Sequence, residues 1–140
     1  MQEHPIRITI CSVQTLSGEA ERVEQTAPGA LRREGEKLLL TYREGEGGSI
    51  RTALRLEGDK VTLLRSGELG CSLVFTPGLR HDSTYRTPYG SFPISVTARR
   101  VEPRGGEAGG ELELEYDLDL SGERAGTILF RMTWELTDGI

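Results

Sequence analysis

The sequence predicts an all-β fold, namely one antiparallel, mostly up-and-down closed barrel of about 8 to 10 strands. Apolar and polar side chains alternate along almost the whole chain, and a period of two residues is that of a strand. Short turns rich in glycine and proline separate the alternating segments. The length of 140 residues is typical of one domain, so residues 1–140 are predicted to form a single barrel domain.

The strands predicted before residue 100 follow one another through short connections. They lie at residues 6–10, 19–26, 38–42, 50–56, 61–65, 69–75, 81–87 and 92–98. The Gly-Asp pair at 58–59 predicts a tight hairpin. The Pro-Gly pairs at 28–29 and 77–78 have the proline and the positive-φ glycine of type II turns. Links this short favour a meander over a sandwich, and closing the meander removes its exposed edges.

The two clearest strands come last, at residues 112–120 and 128–136. In the first of them, leucines and Tyr116 alternate with five carboxylates between residues 111 and 119. We expect these carboxylates to form a solvated outer face, balanced by arginines such as Arg51, Arg99 or Arg131. Pro93 lacks an N–H group and marks a bulge or an unpaired position. The glycine-rich segments 44–48 and 104–110 are predicted to be hairpin tips.

Charge excludes some classes of partner. Seventeen basic side chains against 22 acidic ones give a net charge of −5. Neither a nucleic acid nor an anionic membrane attracts such a surface, so we expect no nucleic-acid partner and no membrane partner. A small-molecule ligand remains, and the sequence leaves monomer and homodimer undetermined.

The predicted location is the cytoplasm. No apolar run approaches the roughly 18 residues that span a bilayer, and Glu3, His4 and Pro5 stand where a signal peptide would be basic and then apolar. Cys11 and Cys71 are the only cysteines. Cys71 is on the core face of its strand, whereas Cys11 is on the polar face of its own. We therefore expect no disulfide between them.

Amide and lysine usage is uneven. The chain contains no asparagine, and Lys37 and Lys60 are its only lysines. Avoidance of thermolabile amides is a feature of thermophilic proteins. A GC-rich genome, which favours arginine codons, explains the same composition, and the sequence leaves both explanations open.

Residues 85–90 form the most unusual local string, Tyr-Arg-Thr-Pro-Tyr-Gly. In one interpretation the hydroxyls of Tyr85, Thr87 and Tyr89 lie at one rim of the barrel and form a binding mouth. The alternative is purely structural, because Thr-Pro-Tyr-Gly has the proline and glycine positions preferred by a type I turn.

Arg65 is the best candidate for an anion anchor. Arg65 is two residues after the core residue Leu63 and so lies on the same face of the strand, at its end. Its guanidinium either points into the barrel or reaches solvent at the following Ser-Gly turn. Escape is the expected outcome, because an inward arginine needs an anionic partner. A site built on Arg65 would add the Tyr116 hydroxyl and an apolar floor that includes Leu63 and Trp134.

Neither a cofactor, a metal site nor a catalytic residue is predicted. His81 and Asp82 would be two ligands on opposite faces of one strand, which is too few to hold a metal. The sequence has no GxSxG elbow, no phosphate-binding glycine loop and no histidine at a known spacing from either cysteine. An enzyme is therefore the less favoured class.

The order of several strings resembles the YwiB-like family of small bacterial proteins of unknown function, whose members look like calycin or lipocalin-type barrels. The strings are Leu40-Thr41-Tyr42, Arg51-Thr52 with Leu54, Leu64-Arg65-Ser66-Gly67, Tyr85 to Gly90 and Leu114 to Leu118. The resemblance implies a closed barrel from a superfamily that often holds small hydrophobic ligands. It supplies no established site residues, and the Gly-x-Trp signature of true lipocalins is missing, since Trp134 is the only tryptophan.

The leading functional hypothesis is non-catalytic binding of a small, partly apolar or anionic ligand at one end of the barrel. Its polar contacts would be Arg65, Tyr85, Thr87, Tyr89 and Tyr116. The second hypothesis is an interaction or assembly protein whose barrel is filled by its own side chains and which works through its outer face. An eight-stranded barrel allows both, because its interior is just wide enough to be packed or to hold one small molecule.

Overall fold

The computed structural model of the protein describes residues 3–137, which form ten antiparallel strands in one sheet. The strands are β1 (Glu3–Leu16), β2 (Glu19–Glu34), β3 (Lys37–Glu44), β4 (Ile50–Glu57), β5 (Lys60–Gly67), β6 (Cys71–Phe75), β7 (Arg80–Thr87), β8 (Gly90–Gly106), β9 (Gly109–Leu120) and β10 (Glu123–Leu136). A single turn of 3-10 helix occupies Glu46–Gly48. No helix within 3–137 is long and apolar enough to span a bilayer.

The strands form a nearly closed up-and-down barrel, as the sequence predicts. Their order in the sheet is β6-β5-β4-β3-β2-β1-β10-β9-β8-β7, so almost every strand pairs with its sequence neighbours. The first and last strands pair with each other from Ile6 opposite Leu136 to Thr15 opposite Thr127. The two edge strands, β6 and β7, meet at one bridge between Gly70 and Arg86. This junction is called the seam below.

One half of the interior is packed. We call it the closed end, because the β2–β3, β4–β5 and β8–β9 hairpin tips surround it and its inward side chains fill the barrel. The largest buried members are Ile6, Ile8, Leu31, Leu40, Leu54, Val61, Leu112 and Met132, each 1% exposed or less. Trp134 caps this end and donates its indole N–H to the Gly106 carbonyl at 2.9 Å. Full burial of such side chains stabilises the fold by about 1.5 to 3 kcal/mol each.

Two of the predicted turns form as expected. Gly58 lies between β4 and β5 with φ of 61°. At residues 76–79, the Leu79 N–H donates to the Thr76 carbonyl at 3.0 Å, and Gly78 has φ of 78°. A positive φ at the third residue is what a type II turn requires.

The turn predicted at residues 28–29 is wrong, because both residues lie inside β2. Gly29 pairs with Ile6 of β1 and with Tyr42 of β3. A Cβ atom at Gly29 would lie 2.6 Å from the Thr41 carbonyl oxygen and 2.8 Å from Ile8 Cδ1, so glycine serves a close approach between strands rather than a turn. Pro28 lies one residue before the pairing with β3 begins, where a missing N–H breaks no ladder bond on that side.

Pro93 does not mark a bulge: it pairs with Thr84 of β7 and is unpaired only on the side of β9, where the register begins at Ile94. The bulge of β8 lies at Arg99, between Ala98 and Arg100 in the register. An extra residue shifts the alternation by one, so Arg99 and Arg100 both face outward.

The outer face of β9 is an ion-pair network rather than a fully solvated surface. Glu113 is only 8% exposed, and its carboxylate lies 2.6 Å from Arg100 and 3.5 Å from Arg131. Asp117 pairs with Arg99 at 3.0 Å. The expected partner Arg51 instead lies on β4, opposite Arg43 and Ser66.

Candidate ligand-binding site

The other half of the barrel, the open end, contains a cavity of about 370 Å³. Its walls are mostly the inward side chains of the strands near that end. The apolar lining residues are Ile10, Val23, Leu63, Leu73, Phe75, Ile94, Leu114, Leu118, Leu120, Ile128 and Phe130. A volume of this size is within the range of roughly 300 to 1,000 Å³ that small-molecule sites occupy.

The deep part of the cavity has an aromatic wall. The rings of Phe75 and Tyr116 lie with their centroids 4.7 Å apart and their planes at 53°. Tilted pairs at this distance are favourable because the positive edge of one ring approaches the negative face of the other. The wall joins β6 to β9 across the interior.

An ion pair faces the cavity above these apolar walls. Arg65 of β5 donates its Nε–H to Glu44 Oε2 at 3.1 Å. The same carboxylate accepts the Thr52 hydroxyl through Oε2, and its Oε1 accepts the Gln25 amide at 3.2 Å. The side chain of Glu44 is 14% exposed and that of Arg65 is 30% exposed. Three donors therefore compensate most of the cost of removing the Glu44 carboxylate from water.

Burial keeps the neighbouring hydroxyl and thiol groups neutral. It raises the pKa of Tyr116 to about 12. Burial raises the pKa of Tyr42 strongly as well, with the Glu44 charge acting in the same direction and Arg65 opposing it. It also raises the pKa of the Cys71 thiol, against the charge of Arg65. These groups present uncharged polar atoms to the cavity at physiological pH.

Burial opposes the charge of Arg65, but the Glu44 carboxylate and other cavity groups outweigh it, and the net shift of the arginine pKa is upward. The guanidinium is therefore fully charged. Its Nε–H is used on Glu44, and an arginine has five N–H donors in all. The remaining donors are what a carboxylate or phosphate group binds.

The structure brings together three of the residues proposed from the sequence. Arg65, Tyr85 and Tyr116 all line the cavity. The expected escape of Arg65 to solvent is wrong, since its partner Glu44 lies on the same side of the barrel wall. The guanidinium of Arg65 points into the barrel, because Glu44 at the end of β3 supplies the carboxylate that an inward arginine needs.

Two other proposed residues lie away from the cavity. The Thr87 hydroxyl donates to the Gly90 carbonyl at 3.0 Å and accepts the Tyr89 N–H at 3.1 Å. Tyr89 is 94% exposed. Thr87 and Tyr89 therefore belong to a turn and not to a binding mouth, because the hydrogen bonds of the Thr87 hydroxyl close the connection between β7 and β8. Trp134 is not part of the cavity floor, since it caps the opposite end of the barrel.

Sequence reasoning missed Glu44, Tyr42 and Gln25 as cavity residues. Glu44 was assigned to a glycine-rich tip, yet it continues the alternation of Leu38, Leu40 and Tyr42 toward the interior. Extending the predicted strand by two residues would have placed Glu44 inside the barrel. No group of three or more histidine, cysteine, aspartate or glutamate side chains within 3–137 is arranged to hold a metal ion.

A protein-family model described as a domain of unknown function, DUF1934, matches residues 8–132. The chain belongs to the DUF1934 family. The match covers strands β2 to β9 completely and most of β1 and β10, so the cavity and both walls of the seam lie inside the family domain. The family resemblance drawn from the sequence strings is confirmed.

One similar curated protein is the uncharacterized β-barrel protein YwiB of Bacillus subtilis (strain 168). It is 23% identical over 135 residues, which are 96% of this chain and 95% of that protein. The crystal structure of the ywiB protein from Bacillus subtilis superposes with a TM-score of 0.89 at 23% identity, covering 97% of this DUF1934 chain and 94% of the other. This likeness establishes the barrel fold for the DUF1934 chain.

Proposed function

We propose that this protein is a non-catalytic binding protein of the cytoplasm that holds one small, partly apolar or anionic ligand at the open end of its barrel. The observation that carries the proposal is the inward ion pair of Arg65 and Glu44 above apolar cavity walls. Two free thiols, at Cys11 and Cys71, agree with a reducing compartment.

The contrast between the two ends of the barrel supports binding. Buried aliphatic side chains occupy most inward positions of the closed end. At the open end the corresponding inward positions carry Glu44, Arg65 and Gln25 around an unfilled volume. An inward ion pair stabilises a protein less than well-packed apolar residues of the same volume. A ligand-binding role explains polar groups at positions where stability alone favours leucine.

A nearly closed antiparallel barrel is also compatible with a calycin-like carrier, in which the barrel surrounds the ligand. Fold analogy by itself is weak support for function. The interaction-protein hypothesis assumes a barrel filled by its own side chains, and the cavity of about 370 Å³ at the open end argues against that assumption. The cavity therefore favours the binding hypothesis.

Binding to the anionic, aromatic probe 1-anilinonaphthalene-8-sulfonate tests the proposal. We expect saturable binding at one site per chain, followed by fluorescence. Leu118→Trp places a large side chain in the cavity and should weaken binding at least about tenfold, which is about 1.4 kcal/mol. Leu79→Trp is the matched control, since Leu79 is 61% exposed and lies on the surface. Non-saturable binding, or equal effects of the two variants, would contradict the proposal.

Native mass spectrometry of the protein purified from its own host provides a second test. A co-purifying small molecule of one mass, lost from the Leu118→Trp variant and kept by Leu79→Trp, is the expected result. The same molecule retained by both variants would place binding outside the cavity.

A further inference from the structure

The seam between β6 and β7 is the one place where adjacent strands of the described barrel are not joined by a ladder. At the Gly70–Arg86 bridge, each residue donates its backbone N–H to the other, at 2.9 and 2.8 Å. Further along, the Val74 N–H donates to His81 Nδ1 at 3.2 Å. Between these two connections the facing edges of β6 and β7 leave a gap in the wall.

A second cavity, of about 400 Å³, occupies this gap. Polar side chains of both edges line it, namely Ser72, Ser83, Thr84 and Arg86, together with Leu64, Arg65 and Cys71. Arg65 and Cys71 also line the interior cavity. The seam cavity and the interior cavity therefore share these two lining residues and lie next to each other.

Arg86 contributes a charge that no carboxylate neutralises. Within residues 3–137, none of its interactions is an ion pair. Its guanidinium lies against Gly70, where a Cβ atom would be 2.7 Å from Nη2 and 2.9 Å from Nε. Arg65, Arg86 and Cys71 line the same seam cavity. Both arginines oppose the rise in the pKa of the Cys71 thiol that burial causes. Two guanidinium groups against the single carboxylate of Glu44 leave one unit of positive charge.

We propose that the seam binds the head group of an amphipathic monoanion, with its carboxylate between Arg65 and Arg86 and its apolar chain in the interior cavity. This inference rests on the proposed binding function and names the ligand class. The hydroxyls of Ser72, Ser83 and Thr84 supply further donors beside the head group. Charge-assisted hydrogen bonds from guanidinium to carboxylate are the strong ones at such a site.

The interior volume sets the size of the apolar chain. At roughly 30 Å³ for each water-sized group, a cavity of about 370 Å³ holds about 12 non-hydrogen atoms. A medium-chain carboxylate such as decanoate matches this size and carries one negative charge. Decanol has the same chain without the charge, and butyrate has the same head group with a chain too short to fill the cavity.

Isothermal titration calorimetry with decanoate, decanol and butyrate tests the inference. We expect decanoate to bind at one site per chain, more tightly than either of the other probes. Arg86→Gln should weaken decanoate binding about tenfold to a hundredfold, as for a lost hydrogen bond between charged groups. The same variant should leave decanol binding unchanged. Arg86→Lys, which keeps the charge, should restore part of the affinity.

Gly70→Ala tests the position of the charge rather than its presence. The φ angle of Gly70 is outside the left-handed region, so alanine fits the backbone. The three atoms nearest to the added methyl group all belong to the guanidinium of Arg86. We expect it to displace the guanidinium and weaken decanoate binding, with the fold unchanged by circular dichroism. The matched control is Arg51→Gln, which removes another exposed arginine, on β4, that forms no ion pair with any residue of the described range 3–137.

The outcomes separate the two proposals. Decanol binding with no advantage for decanoate, or equal effects of Arg86→Gln and Arg51→Gln, would overturn the seam site and leave the cavity function standing. Binding of neither chain would overturn the proposed ligand class, while the titration with 1-anilinonaphthalene-8-sulfonate decides separately whether the cavity binds ligands. Unchanged decanoate affinity in folded Arg86→Gln protein would also refute the assignment of the head group to the seam.

Discussion

The ion pair of Arg65 and Glu44 should contribute to folding as a coupled unit. Replacing Arg65 with methionine leaves the Glu44 carboxylate with two of its three donors, Thr52 and Gln25. Replacing Glu44 with glutamine leaves the Arg65 guanidinium charged and partly buried. In both cases one desolvated charge loses its counterion, and that loss is the physical origin of the expected destabilisation.

The exposure of the two side chains determines the magnitude. Breaking a fully buried pair costs about 3 to 5 kcal/mol, and breaking an exposed pair costs about 0.2 to 1 kcal/mol. Glu44 and Arg65 are 14% and 30% exposed, which places them between these limits. We expect each single variant to lose about 2 kcal/mol and the double variant to lose much less than the sum, because contacting residues couple by about 0.5 to 3 kcal/mol.

Urea unfolding followed by the fluorescence of Trp134 measures these changes. Trp134 is the only tryptophan, is 3% exposed and lies at the closed end, so it reports global unfolding rather than local change at the pair. Arg7→Met is the matched control, since Arg7 and Glu135 form a pair in which both side chains are 58% exposed. If Arg65→Met costs no more than Arg7→Met, or if the two single effects add, then the interior pair is not desolvated and the reasoning fails.

Three further predictions concern the seam, the tyrosines and the composition. His81→Ala removes the acceptor of the Val74 N–H, so hydrogen exchange at Val74 should become faster by the equivalent of about 1 kcal/mol, while an unchanged rate would show that the bond does not hold the seam. Burial raises the pKa of Tyr116 from 10.0 to about 12, so the folded state binds the phenolic proton more tightly and stability falls as the pH rises from 10.0 toward that value. Tyr116→Phe should flatten this fall in urea titrations at alkaline pH, and an unaltered pH dependence would refute the assignment. The missing asparagines predict a calorimetric melting temperature above about 65 °C, the upper end of the mesophile range, and a midpoint inside that range would attribute the composition to codon usage.

Alternation along the chain predicted the barrel because it depends only on the pleat of a strand. Leu112, Leu114 and Tyr116 have one parity and face inward, while Glu113 has the other parity and faces outward. Strand order also followed from the sequence, since short links make sequence neighbours pair. These features are local, and local features are visible in one chain without its fold.

Parity does not say what a side chain meets when it points inward. The sequence placed Arg65 at an inward position but left the direction of its guanidinium open, because the answer depends on Glu44, 21 residues away. The same limit explains the wrong turn at residues 28–29. Glycine suits a positive φ and a close approach equally well, and only the neighbouring Thr41 and Ile8 decide between them.

The sequence by itself determined the all-β class, the meander, the inward and outward faces and the family. Only the tertiary structure decided that one half of the barrel is packed and the other contains a cavity, and that the seam lies between β6 and β7. The physical reason is the range of the interactions. Pleat and turn geometry act between residues a few positions apart, whereas the contact of Arg65 with Glu44 and the position of Arg86 over Gly70 exist only after distant strands have closed around a common interior.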